Sequence, residues 1–405
     1  MPIINRTRFQ AEVSQAFPPI QVRALSSAVV ALGASSLPGC DNLVEICYAR
    51  AHTILETCER QENGIFLVNI NAIQAFALLT LYELKRPNLA RACMTLGRAT
   101  LLASVMGLDK VDGPPSMARQ WSSWGLRPLC PLPSSPADLE ERRRTFWLLY
   151  ILDAFVSLRT KLGPAFREEV LTLLPCPTDF IEFSSASVKM PSLQEVFSRP
   201  LEKKPTISAF AGTAIMISLY HRLLHHKQAL AEVSTYKFWE KHHDIVTAIS
   251  HCKTSLLAEH MKGGEDPLSL ATRMNINTIV IQLHEVAFFK VQRDRVIGWT
   301  VTEVLSESGN AVIDIAEAVQ LGQRLLGIKL ECFHQLDRFF IWPMTVAIHA
   351  CFRMLRLEEV DDATYISSLV ILSRAMKDLI DSEHIAPGLL EKVELLTKKK
   401  PAPED

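Results

Sequence analysis

Residues 140–153 read Glu-Glu-Arg-Arg-Arg-Thr-Phe-Trp-Leu-Leu-Tyr-Ile-Leu-Asp, a block of charge that runs into apolar residues from Phe146 to Leu152 with no polar face. A helix apolar all round has to be enclosed by other elements. This segment therefore requires a fold with many neighbours, and the rest of the chain offers them as helices. Ile276, Ile279, Val280, Leu283 and Ala287 share one helical face, as do Val312, Ile315, Ala316, Val319 and Leu326, while alternating strand patterns are scarce. The expected fold class is all-α: a large, irregular multi-helical domain with no substantial sheet.

The periodicity predicts helices over about 20–33, 41–60, 66–85, 88–106, 137–160, 207–231, 236–261, 268–293, 310–326, 342–357 and 363–381. Some ends carry physical markers. Gly107 before Leu108 suits a left-handed C-terminal cap with a hydrophobic contact behind it. Ser135-Pro136-Ala137-Asp138 places a capping hydroxyl, a first-turn proline and a carboxylate ahead of the long helix. Pro343 is expected in the first turn of its helix. Two stretches rich in Pro and Ser, about 112–136 (with Trp121 and Trp124) and 174–205, read as loops, either of which could also mark a partial domain boundary. The resulting organisation is an N-terminal segment 1–19, a helical domain 20–397, and a disordered tail 398–405.

Hydrophobic residues make up 48% and charged residues 21%, so most of the chain should fold. A net charge of -1 provides no global attraction to phosphate or anionic lipid, and any nucleic-acid contact would need a local basic patch. Neither a secretory leader nor a run of about 18 uncharged apolar residues is present, which predicts a soluble, intracellular protein with no membrane partner. The nine cysteines are scattered, and no two form a C-x-x-C pair. They read as reduced core residues, and neither a disulfide framework nor a cysteine-built zinc site can be drawn.

The run Arg142-Arg143-Arg144 could face phosphate, but Glu140 stands four residues before Arg144 at charge-pair spacing and the segment then enters the core. The structural role is the better reading. Asp153, at the far end of the apolar run, needs a hydrogen-bond partner or counter-charge; Arg91 or Arg98 on the preceding helix is the expected one. Small residues Ala90, Ala92, Gly97, Ala99 and Ala103 predict close helix packing. His221 and His225 have the i,i+4 spacing of a metal pair, but without the H-E-x-x-H pattern they read as hydrophilic decoration, as do His242 and His243. Nucleophile-elbow, P-loop and dinucleotide-binding motifs are absent from the sequence, so no catalytic residue, cofactor or metal ligand is expected and the chain does not read as an enzyme. Lys398-Lys399-Lys400, followed by Pro401, resembles a basic nuclear import signal, with a solvated lysine tail as the plainer explanation.

Taken together, the small-residue helix ending in Gly107-Leu108 and the segment with Arg142, Arg143, Arg144, Trp147 and Asp153 resemble the regulatory, or middle homology, region of fungal zinc-cluster transcription factors. Gly163-Pro164 and Leu174-Pro175 resemble that family's downstream elements, while Asp109 stands where it usually has histidine. The likeness is strongest over about 70–160. It implies a nuclear, fungal regulator of transcription, with shortened members resembling accessory regulators of secondary-metabolite gene clusters. The family's six-cysteine cluster, basic linker and coiled coil would precede this region, where about 70 non-basic residues stand instead. The expectation is a co-regulator that does not itself bind DNA and works through a DNA-binding transcription factor or the transcription machinery, with room between helices for a small-molecule effector. A longer form that binds DNA directly, and a helical enzyme or small-molecule-binding protein, stay open; an upstream cysteine cluster or a copurifying cofactor would select between them.

Overall fold

The computed structural model describes residues 3–86, 89–114, 131–160, 163–166, 170–177, 190–198, 206–231, 234–258, 267–294, 301–325, 337–356 and 362–379. Among these residues every regular element is a helix, and the all-α expectation holds. No helix among them is long and apolar enough to cross a membrane. The chain divides into two compact units, Met1–Ala214 and Ile215–Asp405.

The first unit begins with α1 (Arg6–Val13), α2 (Ile20–Ala34), α3 (Asp41–Arg60), α4 (Ile70–Leu84) and α5 (Leu89–Val105). It continues through α6 (Pro136–Thr160) and the short α7 (Leu193–Ser198). Helix α2 packs on α3 and α4, α4 on α5, and both α4 and α5 on α6. Helix α4 is buried almost all round, because Ala72, Ala75 and Ala77 let neighbours approach while Ile73, Phe76 and Leu79 fill the space between. On α5, Ala92, Ala99 and Ala103 pack inward as expected, but Ala90 and Gly97 face outward. Stepping through them at 100° per residue puts Gly97 on the face opposite the core.

Helix α5 ends as its sequence predicts. Gly107 has φ of 69°, the left-handed cap, and Leu108 behind it is buried. Helix α6 begins as predicted too: Ser135 Oγ caps it by accepting the Asp138 backbone N–H at 3.1 Å, and Asp138 Oδ2 turns back to accept the Ser134 N–H, one residue before the cap, at 2.8 Å.

Helix α8 (Ala209–Gln228) contains the division between the units. The second unit holds α9 (Thr235–His251), α10 (Pro267–Asp294), α11 (Val301–Leu325), α12 (Asp337–Met354) and α13 (Asp362–Leu379). Helix α10 packs on α11 and α12, while α13 packs on α11 and α12. A Cβ built on Gly309 would collide with the Tyr365 hydroxyl, so glycine leaves room for α13 to seat its tyrosine against α11.

Three sequence expectations are corrected here. Residues 1–19 contain a helix, α1, none of whose eight residues is fully buried and whose sequence leaves no periodic apolar signal. Helix α11 starts at Val301, nine residues before the expected 310. Pro343 lies inside α12, not in its first turn, and its missing N–H interrupts the helical ladder there. Trp121, Trp124, Leu326 and the tail 398–405 lie outside the described residues.

Candidate functional site

The residues singled out by the sequence converge on α6. Its consecutive arginines point about 100° apart around the axis, so each can fasten a different segment. Arg142 pairs with Asp138 at 2.9 Å and donates to the Pro131 carbonyl at 2.6 Å, holding the approach to the helix. Arg143 Nε donates to Asp112 Oδ2 at 2.8 Å, and its Nη2 reaches Asp112 Oδ1. Asp112 also accepts the Leu173 N–H at 3.0 Å, so one carboxylate ties the turn after α5 to residues 170–177. Arg144 Nε donates to Glu140 Oε1 at 2.8 Å, and its Nη2 donates to the Cys176 carbonyl at 3.1 Å. Glu140 Oε1 accepts the Cys176 N–H at 2.9 Å. The Glu140–Arg144 pair expected from spacing therefore forms, deep inside, with side chains 0% and 3% exposed.

Burial pushes the Glu140 carboxyl up from its ordinary value against the opposing pull of Arg144, the Cys176 amide and Arg143. Burial likewise pushes the Cys176 thiol up to about 11, which leaves it protonated and unreactive. None of the three arginines presents a free guanidinium face to solvent; side-chain exposure is 10%, 11% and 3% in order. Phosphate contact through this run would require breaking internal pairs.

One turn further on, Trp147 is fully buried with Nε1 donating to the Leu173 carbonyl at 2.7 Å. Its ring stands edge-on to Phe146 and Tyr150, and Phe146 is edge-on to Phe166. The segment 170–177 thus runs along α6, held by Trp147, Arg143 and Arg144. Thr172 completes the link by donating to the Leu108 carbonyl at 2.6 Å, while the Leu171 and Thr172 amides donate to the Asp109 carbonyl at 2.9 and 3.1 Å. Gly107-Leu108 and the arginine–tryptophan helix, distant in sequence, are joined through this third segment.

Asp153 departs from expectation. Its Oδ2 accepts the backbone N–H groups of Ala165 at 2.7 Å and Phe166 at 3.2 Å, just after Gly163-Pro164. Arg91 instead sits 3.6 Å from Glu83 and over the Tyr48 ring, and Arg98 is 3.6 Å from Glu59. Two amides supply the polar partner without a second buried ion. Burial outweighs those two bonds and pushes the Asp153 carboxyl up to about 6.

Glu83, at the end of α4, was not anticipated. Its Oε1 accepts the Tyr48 hydroxyl at 2.6 Å and lies 3.0 Å from His52 Nε2. Burial pushes this carboxyl up, but hydrogen bonds from His52, Tyr48 and Thr95 hold it below the usual value. The i,i+4 spacing of Tyr48 and His52 on α3 was the available signal; the partner on another helix was not.

In the second unit, His221 is buried and His225 exposed, so the i,i+4 pair is divided between interior and solvent. His242 is buried as well, whereas His243 is exposed; the reading of all four as hydrophilic decoration is corrected for His221 and His242. His242 Nδ1 lies 3.3 Å from His226 Nε2, and His226 stacks on Phe238 with centroids 4.3 Å apart. Among the described residues no group of three or more His, Cys, Asp or Glu side chains could hold a metal. Burial draws His221 and His226 down to about 4 and His242 to about 3, so these imidazoles are neutral near pH 7. Lys398, Lys399 and Lys400 lie outside the described residues.

Comparison with known proteins places this geometry in a family. The model of the fungal specific transcription factor domain matches residues 1–254, well beyond the 70–160 over which the motifs themselves are legible. The depudecin biosynthesis cluster-specific transcription activator DEP6 of Alternaria brassicicola is 30% identical over 365 residues, covering 87% of this chain and 54% of its own length. DEP6 of Fusarium langsethiae is 28% identical, covering 93% and 60%. The pigment biosynthesis transcriptional activator pigB of Monascus ruber is 25% identical, covering 93% and 66%. The chain spans between about half and two thirds of the length of these curated relatives. No solved structure matches it. The matched residues take in the glycine-capped α5, helix α6 and the segment that ties them together, and the chain is a member of the fungal specific transcription factor domain family.

Proposed function

We propose that this protein is a nuclear regulator of a secondary-metabolite gene cluster, acting on transcription through a DNA-binding partner. The observation that carries the reading is the kinship with cluster-specific activators, joined to the internal commitment of the basic run. Arg142, Arg143 and Arg144 serve the fold, and Gly107, Leu108, Trp147 and Asp153 serve it with them. A net charge of -1 gives no global attraction to DNA, and the sequence holds no C-x-x-C pair from which to build a zinc cluster. In this reading Lys398, Lys399 and Lys400 direct nuclear import, and an apolar effector is the natural ligand class for a helical core.

A second reading keeps direct DNA binding and assigns it to residues beyond these. The 54% and 60% coverage of the DEP6 proteins favours it. The native protein, immunoprecipitated from its host and weighed intact, separates the two. A mass matching 45.4 kDa, with a DNA-binding factor in the same precipitate and promoter occupancy that vanishes when that factor is deleted, supports the partner mechanism. A heavier species with six-cysteine peptides at its N-terminal end, occupying promoters alone, sinks it.

A further inference from the structure

Helix α1 is held on the first unit by means unlike those of its other helices. None of its eight residues is buried. An isolated helix of that length is unstable in water, and the residues that follow, Ser14 to Phe17, are exposed, with Phe17 92% accessible. Beside the buried Ile3 and the part-buried Ile4 and Phe9, the described hold of residues 3–13 on the unit is polar.

The groups that receive it are deeply buried. Glu141 on α6 is 1% exposed and Gln74 on α4 is 0%. Glu141 Oε1 accepts from Arg8 Nη2 at 2.6 Å, the Asn5 backbone N–H at 3.0 Å and Gln74 Nε2 at 3.0 Å, and its Oε2 accepts from Arg8 Nε at 2.9 Å. Gln74 Nε2 donates to the Ile3 carbonyl at 2.8 Å and to Thr145 Oγ1 at 3.1 Å. Toward the end of α1, Glu12 accepts from Arg8 Nη1 at 2.7 Å and Asn71 Nδ2 at 3.1 Å. The planar fork of Arg8 meets the Glu141 carboxylate two-pronged, the geometry that distinguishes arginine from lysine.

The arrangement is asymmetric. Helix α1 has no fully buried residue to give up by leaving, only the part-buried Phe9, but Glu141 would be left as a buried charge without its guanidinium. Whatever displaces the strap must therefore bring a comparable cation. The seat also has acceptor capacity to spare: Gln74 Oε1 and Asn71 Oδ1 are both buried without a hydrogen-bond partner. A ligand richer in N–H donors than the strap would satisfy them as well.

We propose that residues 3–13 form a displaceable strap over a peptide-binding seat, in which Glu141, Gln74 and Asn71 receive an arginine-bearing helical segment of a partner protein in place of Arg8. The seat recognises a guanidinium with flanking N–H donors, and the strap holds it closed until such a segment competes.

Two measurements on the full chain test this. The first is hydrogen exchange of the unaltered protein at low and high NaCl. The α1 amides are expected to open separately from α4 and α6, with the opening promoted by salt. Protection of α1 equal to that of α6 at both salt concentrations overturns the proposal. The second uses a fluorescent peptide of residues 1–16 titrated into the full chain carrying Arg8→Ala, its fold checked by circular dichroism. Saturable binding is expected, weakened about tenfold or more by lysine at the arginine position of the peptide and abolished by Glu141→Gln in the protein. Absence of binding, or equal binding of the arginine and lysine peptides, overturns the seat. If Arg8→Ala does not fold, the exchange experiment decides alone.

Discussion

In the unit Met1–Ala214 the interior carboxylates are tied to partners from other segments or turns: Glu140 with Arg144, Glu141 with Arg8, Asp112 with Arg143, and Glu83 with Tyr48 and His52. In the unit Ile215–Asp405, the interior around α8, α9 and α10 gathers imidazoles, His226 against His242 and Phe238, with His284 Nδ1 beside the Val280 carbonyl at 2.8 Å, next to a buried lysine, Lys290, paired with Asp294 at 2.9 Å. The two solutions differ in what they do for the fold. A guanidinium–carboxylate pair has a fixed geometry and ties particular segments together, so it sets where 109–114 and 170–177 lie on α6. Neutral histidines pack as flat, weakly polar rings and contribute burial at the cost of sensitivity to protonation.

The largest effect that would sharpen this contrast is expected from Arg144→Ala. Removing Arg144 leaves Glu140 buried with the Cys176 amide and the more distant Arg143, 3.6 Å away, and the loss should be about 3–5 kcal/mol in denaturant unfolding followed by tryptophan fluorescence. A loss under about 1 kcal/mol would mean that the pair is solvated and the contrast false.

Acidification should act on the other unit. The folded values of His221, His226 and His242, about 4, 4 and 3, lie below the ordinary 6.5. The unfolded chain therefore binds protons first as pH falls. Stability from these groups is complete above about 6.5 and is lost below it, by about 1.4 kcal/mol per pH unit for each histidine still neutral in the fold. Positive charge nearby, on Lys241 and the exposed His225 and His243, opposes their protonation further, whereas Glu307 pulls His284 the other way. Hydrogen exchange at pH 7 and pH 5 should show α8 and α9 losing protection ahead of α2 and α4. Equal loss in both units would break the comparison.

The smallest expected effect concerns Asp153. Its pKa of about 6 is above the ordinary carboxylate value, so its ionisation opposes folding as pH rises through 6, the reverse of the histidines. What the fold requires is an acceptor for the Ala165 and Phe166 amides. Asp153→Asn keeps that acceptor and should stay within about 0.5 kcal/mol of the parent, while Asp153→Ala leaves two amides unsatisfied and should cost about 1–3 kcal/mol. A thermal melt of the two variants side by side checks this; equal destabilisation by both would show that the charge itself matters.

Much of the fold was legible without coordinates, and the reason is local. Helices α2 and α3 fall within a residue of their expected spans, because apolar spacing repeats over four or more turns. The left-handed Gly107 and the Ser135–Asp138 cap depend on neighbours within four residues, as does the Glu140–Arg144 pair. Membership of the family was legible on the same grounds, since each of its motifs is short and local in the sequence.

Tertiary structure alone decided the partners. Asp153 chose backbone amides 12 and 13 residues onward over the arginines of α5, because a loop that folds back can deliver two N–H groups without burying a second charge. Glu141 met Arg8 across 133 positions, and His226 met His242 from a neighbouring helix. Periodicity states which face of a helix is apolar but not which helix will cover it, and a buried polar group is satisfied by whatever donor that covering element brings.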